Sequence, residues 1–407
     1  MTTSATAESP LHGIRVIDMT SLGMGPLAAQ ILGDYGADVI KLEPPTGDVF
    51  RHVLPQGTPG MSHAFIQFNR NKRSVSLDLK KPEGLEAARK LLKTADVVLS
   101  NVRPSAMKAL GLDYESVRAI KPDIIFAAAY GYSERGPYAG RPAADDTIQA
   151  MSGVAGLQQL AYGKATLVAN VVADKAVGQA LVGAVMAALI HKMKTGQGQR
   201  IEVPMFETMV AFTMPEHIAG MTFDPPKGGA GYSRVINPER RPYKTKDGWL
   251  CVLPYTTPQW QRFFALIGRD DLAKDPVLAD PVERSKRFRE LYSLIDEVMP
   301  QRTTDEWVQA LLDADILFGK VNTPDDLMAD PHLAALDMFP LVEHPSEGQV
   351  RLIGFPIEFT QTPMRLNRLP PTLGQHSREV LAELGYDGDA MDRLQAGGTL
   401  VGPEVVS

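Results

Sequence analysis

Cysteine is almost missing from this chain: Cys251 stands alone among 407 residues. No disulfide can close within one chain, which suits a reducing compartment and a cytoplasmic protein. An excess of basic charge is missing too. The net charge is −6, whereas a nucleic-acid surface needs clustered cations, so no nucleic-acid partner is expected. The longest apolar stretch, Ala180 to Ile190, is too short and too rich in Ala and Gly to span a bilayer, so no membrane partner is expected either. Met1 to Pro10 is polar and lacks the cationic flank and apolar run of a signal peptide. None of the eight histidines has metal-ligand spacing, so no metal is expected. No repeat of solenoid period is present.

What remains is an ordinary globular composition, 44% hydrophobic and 22% charged, over a length that exceeds one core, so two domains are expected. The first half alternates short apolar runs with helical patterns. Ile14 to Asp18 reads as a buried strand, Pro26 opens a helix that Gly36 ends, and Ala37 to Leu42 is the next strand. Ser74 to Leu79, Asp96 to Leu99 and Asp123 to Ala127 continue the series, with helices from Pro82 and from about Pro104 between them. Strands alternating with helices predict an α/β, doubly wound, mostly parallel sheet. A long Ala/Val/Leu-rich helix then runs over Lys175–Met193, with Asp174 as its N-cap and Thr195-Gly-Gln-Gly198 as its stop. Arg200 to Val203 is a strand, and Met205 to Ala219 a helix. Residues 224–242 turn to Pro, Gly and Arg, reading as a linker or ordered loop. A smaller unit follows, with a strand at Trp249 to Leu253, helices near Gln259 and Tyr292, and a capping box at Thr303/Glu306. Strands return after Leu333, with a last helix over His376–Leu384.

Gly23-Met-Gly25-Pro-Leu-Ala28 fits the dinucleotide fingerprint G-x-G-x-x-A, with Glu43 about twenty residues on. However, Met19 to Leu22 separate the strand from the first glycine, and Pro26 removes a backbone N–H that a pyrophosphate would use. The spacing favours a tight strand-to-helix turn with close packing.

Read whole, the same region resembles the opening of the class III coenzyme A (CoA) transferases, the group of formyl-CoA, carnitine-CoA and succinyl-CoA transferases and the related acyl-CoA racemases. The resemblance rests on Leu11-His-Gly-Ile-Arg-Val-Ile-Asp18, Gly25-Pro26 and Gly36-Ala-Asp-Val-Ile-Lys-Leu-Glu43. It continues through Gly47-Asp48, Asn71-Lys-Arg-Ser74, Leu77-Asp-Leu79, Asn101-Val-Arg-Pro104, Gly136-Pro-Tyr138, Gln149-Ala-Met-Ser-Gly153, Ala173-Asp-Lys175 and Asp247-Gly-Trp249. The resemblance implies a Rossmann-like large domain with an inserted smaller α+β domain, in an interlocked homodimer. The boundaries expected are 1–222 for the first part of the large domain, 223–242 for a linker, 243–325 for the small domain and 326–407 for a linker and the return to the large domain.

The activity it implies moves CoA from an acyl-CoA to a carboxylic acid, with CoA as substrate and no permanently bound cofactor. Asp174 matches the carboxylate that attacks the thioester, giving an aspartyl anhydride and then an aspartyl-CoA thioester. Gly228, Gly229 and Gly231 resemble a glycine loop able to present N–H donors to an oxyanion; a flexible linker is the alternative. By family position Leu22, Gly23 and Met24 line the thioester end of CoA, and Leu77, Lys80, Asn101 and Val102 hold its nucleotide. Arg103, Lys108, Arg141, Lys72 and Arg73 are cations available to phosphates, unless they simply form a solvated face. Asp145 matches an acid near the reacting carbonyl, with a helix cap as its rival reading. His52 and Tyr138 are placed as pocket residues. Pro44, Gly23 and Pro142 depart from the formyl-CoA pattern. Ala144 stands where racemases carry the histidine of a two-base exchange. A racemase, an intramolecular acyl-CoA isomerase and a non-catalytic CoA-binding protein are the alternatives.

Overall fold

A computed structural model describes residues 9–402. The chain divides into two compact units: one takes residues up to Val154, Leu167–Thr213 and Ala335 onward, the other takes Ala155–Thr166 and Met214–Ala334.

The larger unit is built on β1 (Arg15–Met19), β2 (Asp38–Glu43), β3 (Lys72–Leu77), β4 (Val97–Ser100), β5 (Ile125–Tyr130) and β6 (Gln199–Pro204). These are parallel neighbours in the order β3-β2-β1-β4-β5-β6, and the Leu400–Val401 strand adds antiparallel to the free edge of β3, Leu400 opposite Leu77. Strands covered on both faces by helices need apolar side chains on both sides, which is why they read as continuous runs rather than as alternation. One face packs Val16, Val39, Leu99 and Ala127 against the helices Met24–Asp34 and Val172–Thr195. The other packs Ile17, Ile40, Val75 and Val98 against the Pro82–Lys93 helix and the Ser377–Glu383 helix of the C-terminal segment. Chain order reverses between β1 and β4, and ligands of doubly wound sheets sit beyond the carboxyl ends of strands at such a switch point.

The Val172–Thr195 helix is long and apolar enough to cross a membrane, and it is the core helix of this sheet: Val177, Leu181, Val185 and Leu189 are buried in the first cluster. Gly196, at φ +73°, ends it in the left-handed conformation that favours glycine. Asp174 is not its N-cap. Val171 holds that position without a side-chain bond, and Asp174 is the third residue of the helix. The Met205–Thr213 helix stops short of the expected Ala219.

The second unit has a three-stranded antiparallel sheet of β7 (Tyr243–Lys244), β8 (Trp249–Leu253) and β9 (Leu317–Lys320). Its core is aromatic, with Trp260, Phe263, Phe264, Tyr292 and Trp307 all buried. The capping box at Thr303 and Glu306 opens the Thr304–Asp313 helix.

Candidate active site

The turn after β1 rests on buried charge. Asp18 and Lys41, paired in register on β1 and β2, lie with Lys72 and Asp48 in a set with no exposed side-chain surface at Asp18, Lys41 or Lys72. Lys72 Nζ reaches Asp18 at 2.9 Å, Asn69 Oδ1 at 2.8 Å and Pro26 O at 2.9 Å. Lys41 Nζ reaches Asp48 at 2.8 Å and the Thr20 carbonyl at 2.8 Å. Burial alone would raise Asp18 and Asp48; the lysines more than reverse this and hold both carboxyls below the usual range. Burial pulls the Lys72 ammonium down to about 8 against the attraction of Asp18. Buried ions survive only when paired and hydrogen-bonded, and here they are.

This set fixes the loop above it. Asp48 Oδ1 accepts from Leu22 N at 3.0 Å and from Ser21 Oγ at 2.8 Å, and Asn101 exchanges two bonds with the Ser21 backbone across the switch point, at 3.0 and 2.8 Å. Leu22 is thereby held at φ +71°, a conformation costing a leucine on the order of 1–3 kcal/mol. The next residue, Gly23, begins the Met24–Asp34 helix and lies against Asp174: a Cβ there would come 2.6 Å from Asp174 Oδ2. One turn further along the Asp174 helix, a Cβ on Gly178 would come 2.8 Å from the Met24 carbonyl. Glycine at 23 and 178 thus lets the two helices approach closely enough to bring the carboxylate beside the strand end. Gly25 has the packing role anticipated for it, since a Cβ would strike the Thr20 side chain at 2.3 Å. Glu43 is closed in an ion pair with Arg51 and is no ribose ligand.

The second carboxylate supplies what the Asp174 helix lacks. Asp145 Oδ1 accepts from the Asp174 backbone N–H at 2.9 Å, so it caps the N-terminus of that helix from a separate one, Asp145–Met151. Its Oδ2 accepts from Gln149 Nε2 at 2.6 Å. Gln149 also donates to Asn170 O at 3.0 Å and accepts from Val168 N at 2.9 Å, clamping the approach to the Asp174 helix. Asp145 therefore lies beside Asp174 with its oxygens already engaged, in the helix-capping arrangement that was the rival reading of this residue. Burial, with the Asp145 charge beside it, pushes the Asp174 carboxyl up to about 6. Among the described residues no cation pairs with Asp174.

The other expected residues divide. Met24 and Leu77 point into the core and offer a ligand no side chain. Lys72 and Arg73 are not spare cations: the first belongs to the buried set, and the second is tied to Asp38, Glu379 and Glu383. Lys80 and Arg103 are exposed, as a phosphate contact requires. Val102 and Lys108 line a cavity of about 400 Å³ at the ends of β4 and β5, together with the Arg200–Glu134 pair and Tyr130. Tyr138 packs on Tyr132 and Phe206, and Arg141 covers its ring at 4.1 Å. His52 directs Nε2 to Thr46 O at 3.0 Å. The glycine stretch lies in the second unit and folds on itself, Gly220 N donating to Gly229 O at 3.2 Å and Gly231 N to His217 O at 2.7 Å. The Gly231 N–H is therefore committed internally and is not a donor for an oxyanion in this conformation; Gly228 would lie 2.5 Å from a Cβ on Gly220. Sequence reasoning assigned nothing to Ser21, Lys41, Asp48 or Gln149. The one signal was charge set inside apolar strands, at Asp18 and Lys41.

A carboxylate with no cation partner among the described residues, set at the switch point of a doubly wound sheet beside the first turns of two helices, fits a group-transfer enzyme better than a dehydrogenase. The sequence comparison agrees: the model of CoA-transferase family III matches residues 11–377, and the chain belongs to that family. The succinate–glutarate CoA-transferase of Agrobacterium fabrum is 32% identical over 394 residues, covering 94% of this chain and 98% of that protein. A probable fatty acyl-CoA transferase of Mycobacterium tuberculosis is 31% identical over 389 residues, covering 92% and 98%. A crystal structure of a Mycobacterium tuberculosis protein superposes with a TM-score of 0.79 at 30% identity, covering 91% of this chain and 99% of that one.

Proposed function

We propose that this CoA-transferase works through covalent catalysis by Asp174, passing CoA from an acyl-CoA donor to a carboxylic acid acceptor. The observation that carries the reading is the Asp174 carboxylate itself. It is half-buried, free of any cation among the described residues, and set against a glycine at the sheet's switch point. A carboxylate stabilised by an ion pair would be a poor nucleophile; one held near a pKa of about 6 is ionised at neutral pH yet keeps its reactivity.

Asp174 attacks the thioester carbonyl, the carbon–sulfur bond breaks, and CoA leaves as thiolate with an acyl–aspartyl anhydride behind it. The thiolate attacks the aspartyl carbonyl of the anhydride, releasing the donor acid as carboxylate and forming an aspartyl-CoA thioester. The acceptor carboxylate attacks that thioester and expels the thiolate again, which takes the new acyl group and restores Asp174. No proton or outside reductant is consumed. Dipoles at the starts of the Met24–Asp34 and Val172–Thr195 helices favour the negative charge that develops at each addition. Ala144, a methyl group before Asp145, supplies no second base for exchange of an α-proton.

Exposed Lys80, Arg103 and Lys108 suit the phosphates of CoA. The exposed apolar side chains Ile190, Met193 and Phe212 suit the homodimer interface, and the single Cys251 suits a cytoplasmic location. The test is a panel of acyl-CoA donors against mono- and dicarboxylic acids, read by mass spectrometry. CoA appearing on the added acid in a donor-dependent way supports the reading. Hydrolysis alone, or deuterium uptake at C2 without transfer, contradicts it.

A further inference from the structure

Two arginines of the second unit, Arg234 and Arg284, each keep a buried guanidinium nitrogen with no hydrogen-bond partner among the described residues. Arg284 is 4% exposed; its Nη1 donates to Thr257 Oγ1 at 2.8 Å and to Leu278 O at 2.6 Å. Its Nε makes no hydrogen bond among the described residues. Arg234 lies between the rings of Tyr255 and Phe288, 4.8 Å from each centroid, and its Nε donates to the Tyr292 hydroxyl at 3.2 Å. Its Nη2 is buried with no acceptor among the described residues. Trp260, packed on Tyr292 at 6.3 Å between centroids, buries an indole N–H in the same condition. Neither arginine forms an ion pair among the described residues. Burial lowers Arg284, Asp280 opposes this, and the charge of Arg234 lowers it further, so the two cations feel one another.

A like charge beside a buried arginine adds to the cost of holding it away from water unless an opposite charge joins them. An unpaired buried N–H adds about 1–3 kcal/mol. Asp280, whose charge acts on Arg284, accepts from the N–H groups of Val282 and Glu283 through Oδ1 and forms no ion pair with either arginine among the described residues. Aromatic faces stabilise the guanidinium of Arg234 in part, but they do not accept at its edge. What the cluster lacks is an oxygen anion.

We propose that Arg234 and Arg284, with the hydroxyls of Tyr255 and Tyr292, bind a single oxyanion in the second unit, a carboxylate or a phosphate. Guanidinium forks match both groups, and tyrosyl hydroxyls complete the donor set. The site is separate from the Asp174 chemistry in its residues, and its reading does not depend on that mechanism.

The chain has three tryptophans, so the indole N–H region of a 15N-labelled sample shows three side-chain signals, and Trp260→Phe assigns the one beside the cluster. Sodium acetate and inorganic phosphate are titrated separately into the whole protein, with sodium chloride at matched ionic strength as reference. The Trp260 signal should move saturably with acetate, phosphate or both, and the lower midpoint names the anion. Arg234→Gln, at a half-buried position that keeps Arg284 and its bonds, should raise that midpoint at least tenfold. A Trp260 signal unmoved by either anion up to 100 mM (on the order of a weak metabolite site) overturns the proposal, and the orphan donors then belong to enclosed water. An unchanged midpoint in Arg234→Gln overturns it as well.

Discussion

Two groups of buried acids meet at the same sheet edge and are treated oppositely. Under the β1 loop, Asp18 and Asp48 each face a lysine, and every charge is answered. Beside that loop, Asp174 faces another acid, Asp145, and no cation. The first group is scaffold: it spends its charge on holding Ser21, Leu22 and the strand ends in place. The second keeps one carboxylate in reserve. The chain pairs its buried charges thoroughly nearby and leaves this one without a cation among the described residues, and that contrast is what supports the role proposed for Asp174.

Breaking the scaffold should cost the most stability. Lys72→Met leaves Asp18 with only Lys41, 3.8 Å away, and should lower unfolding free energy by about 3 kcal/mol in chemical denaturation. A loss under about 1 kcal/mol would mean the set is not the support described.

Disturbing the contact between the two groups should act on rate more than on stability. Gly23→Ala places a Cβ 2.6 Å from Asp174 Oδ2, so the carboxylate must rotate away. Transfer should fall by roughly a hundredfold, as a misplacement near 1 Å does, with the melting temperature little changed. Wild-type turnover in a folded variant would show that the close approach has no catalytic meaning.

Removing the unanswered charge should stabilise the fold. The Asp174 carboxyl is raised from 3.8 to about 6, so its ionisation works against the folded state: the stabilisation present in acid is lost as pH rises through about 6. Asp174→Asn should therefore be more stable than wild type by about 1–3 kcal/mol at pH 8, with the gain shrinking towards pH 4. A variant less stable than wild type at both pH values would contradict the sign.

The smallest effect should come from the neighbour. Asp145→Asn removes the charge that helps raise Asp174, so the acid limb of kcat/KM should move to lower pH. Burial, the larger cause, stays, so the move should be a fraction of the whole displacement. An unmoved limb would leave Asp145 only its hydrogen bonds.

Much of the fold was legible because buried parallel strands must be apolar and their helices must start and stop somewhere: Pro82, Gly36, Gly196 and the Thr303 box all stand at element ends. The family's motifs pointed to Asp174. What the sequence could not show depended on distance along the chain. Asp145 caps a helix that begins 27 positions later in numbering, and no local pattern connects them. Lys72 and Arg73 looked like ordinary surface cations because their partners, Asp18 and Glu383, lie on remote elements. Asp174 looked like an N-cap because a capping acid and a third-position acid share one composition and differ only in backbone angles.

The claim that Asp174 carries the acyl group is open to direct capture. Incubating the protein with an acyl-CoA and hydroxylamine should convert an anhydride or aspartyl thioester at residue 174 to the hydroxamate, a shift of about +15 Da from the masses of the groups exchanged at an activated carboxyl. The account predicts that modification on the peptide containing Asp174, dependent on acyl-CoA and absent from Asp174→Asn. An unmodified Asp174 peptide during full turnover, together with transfer by the folded Asn variant within about tenfold of wild type, would contradict it.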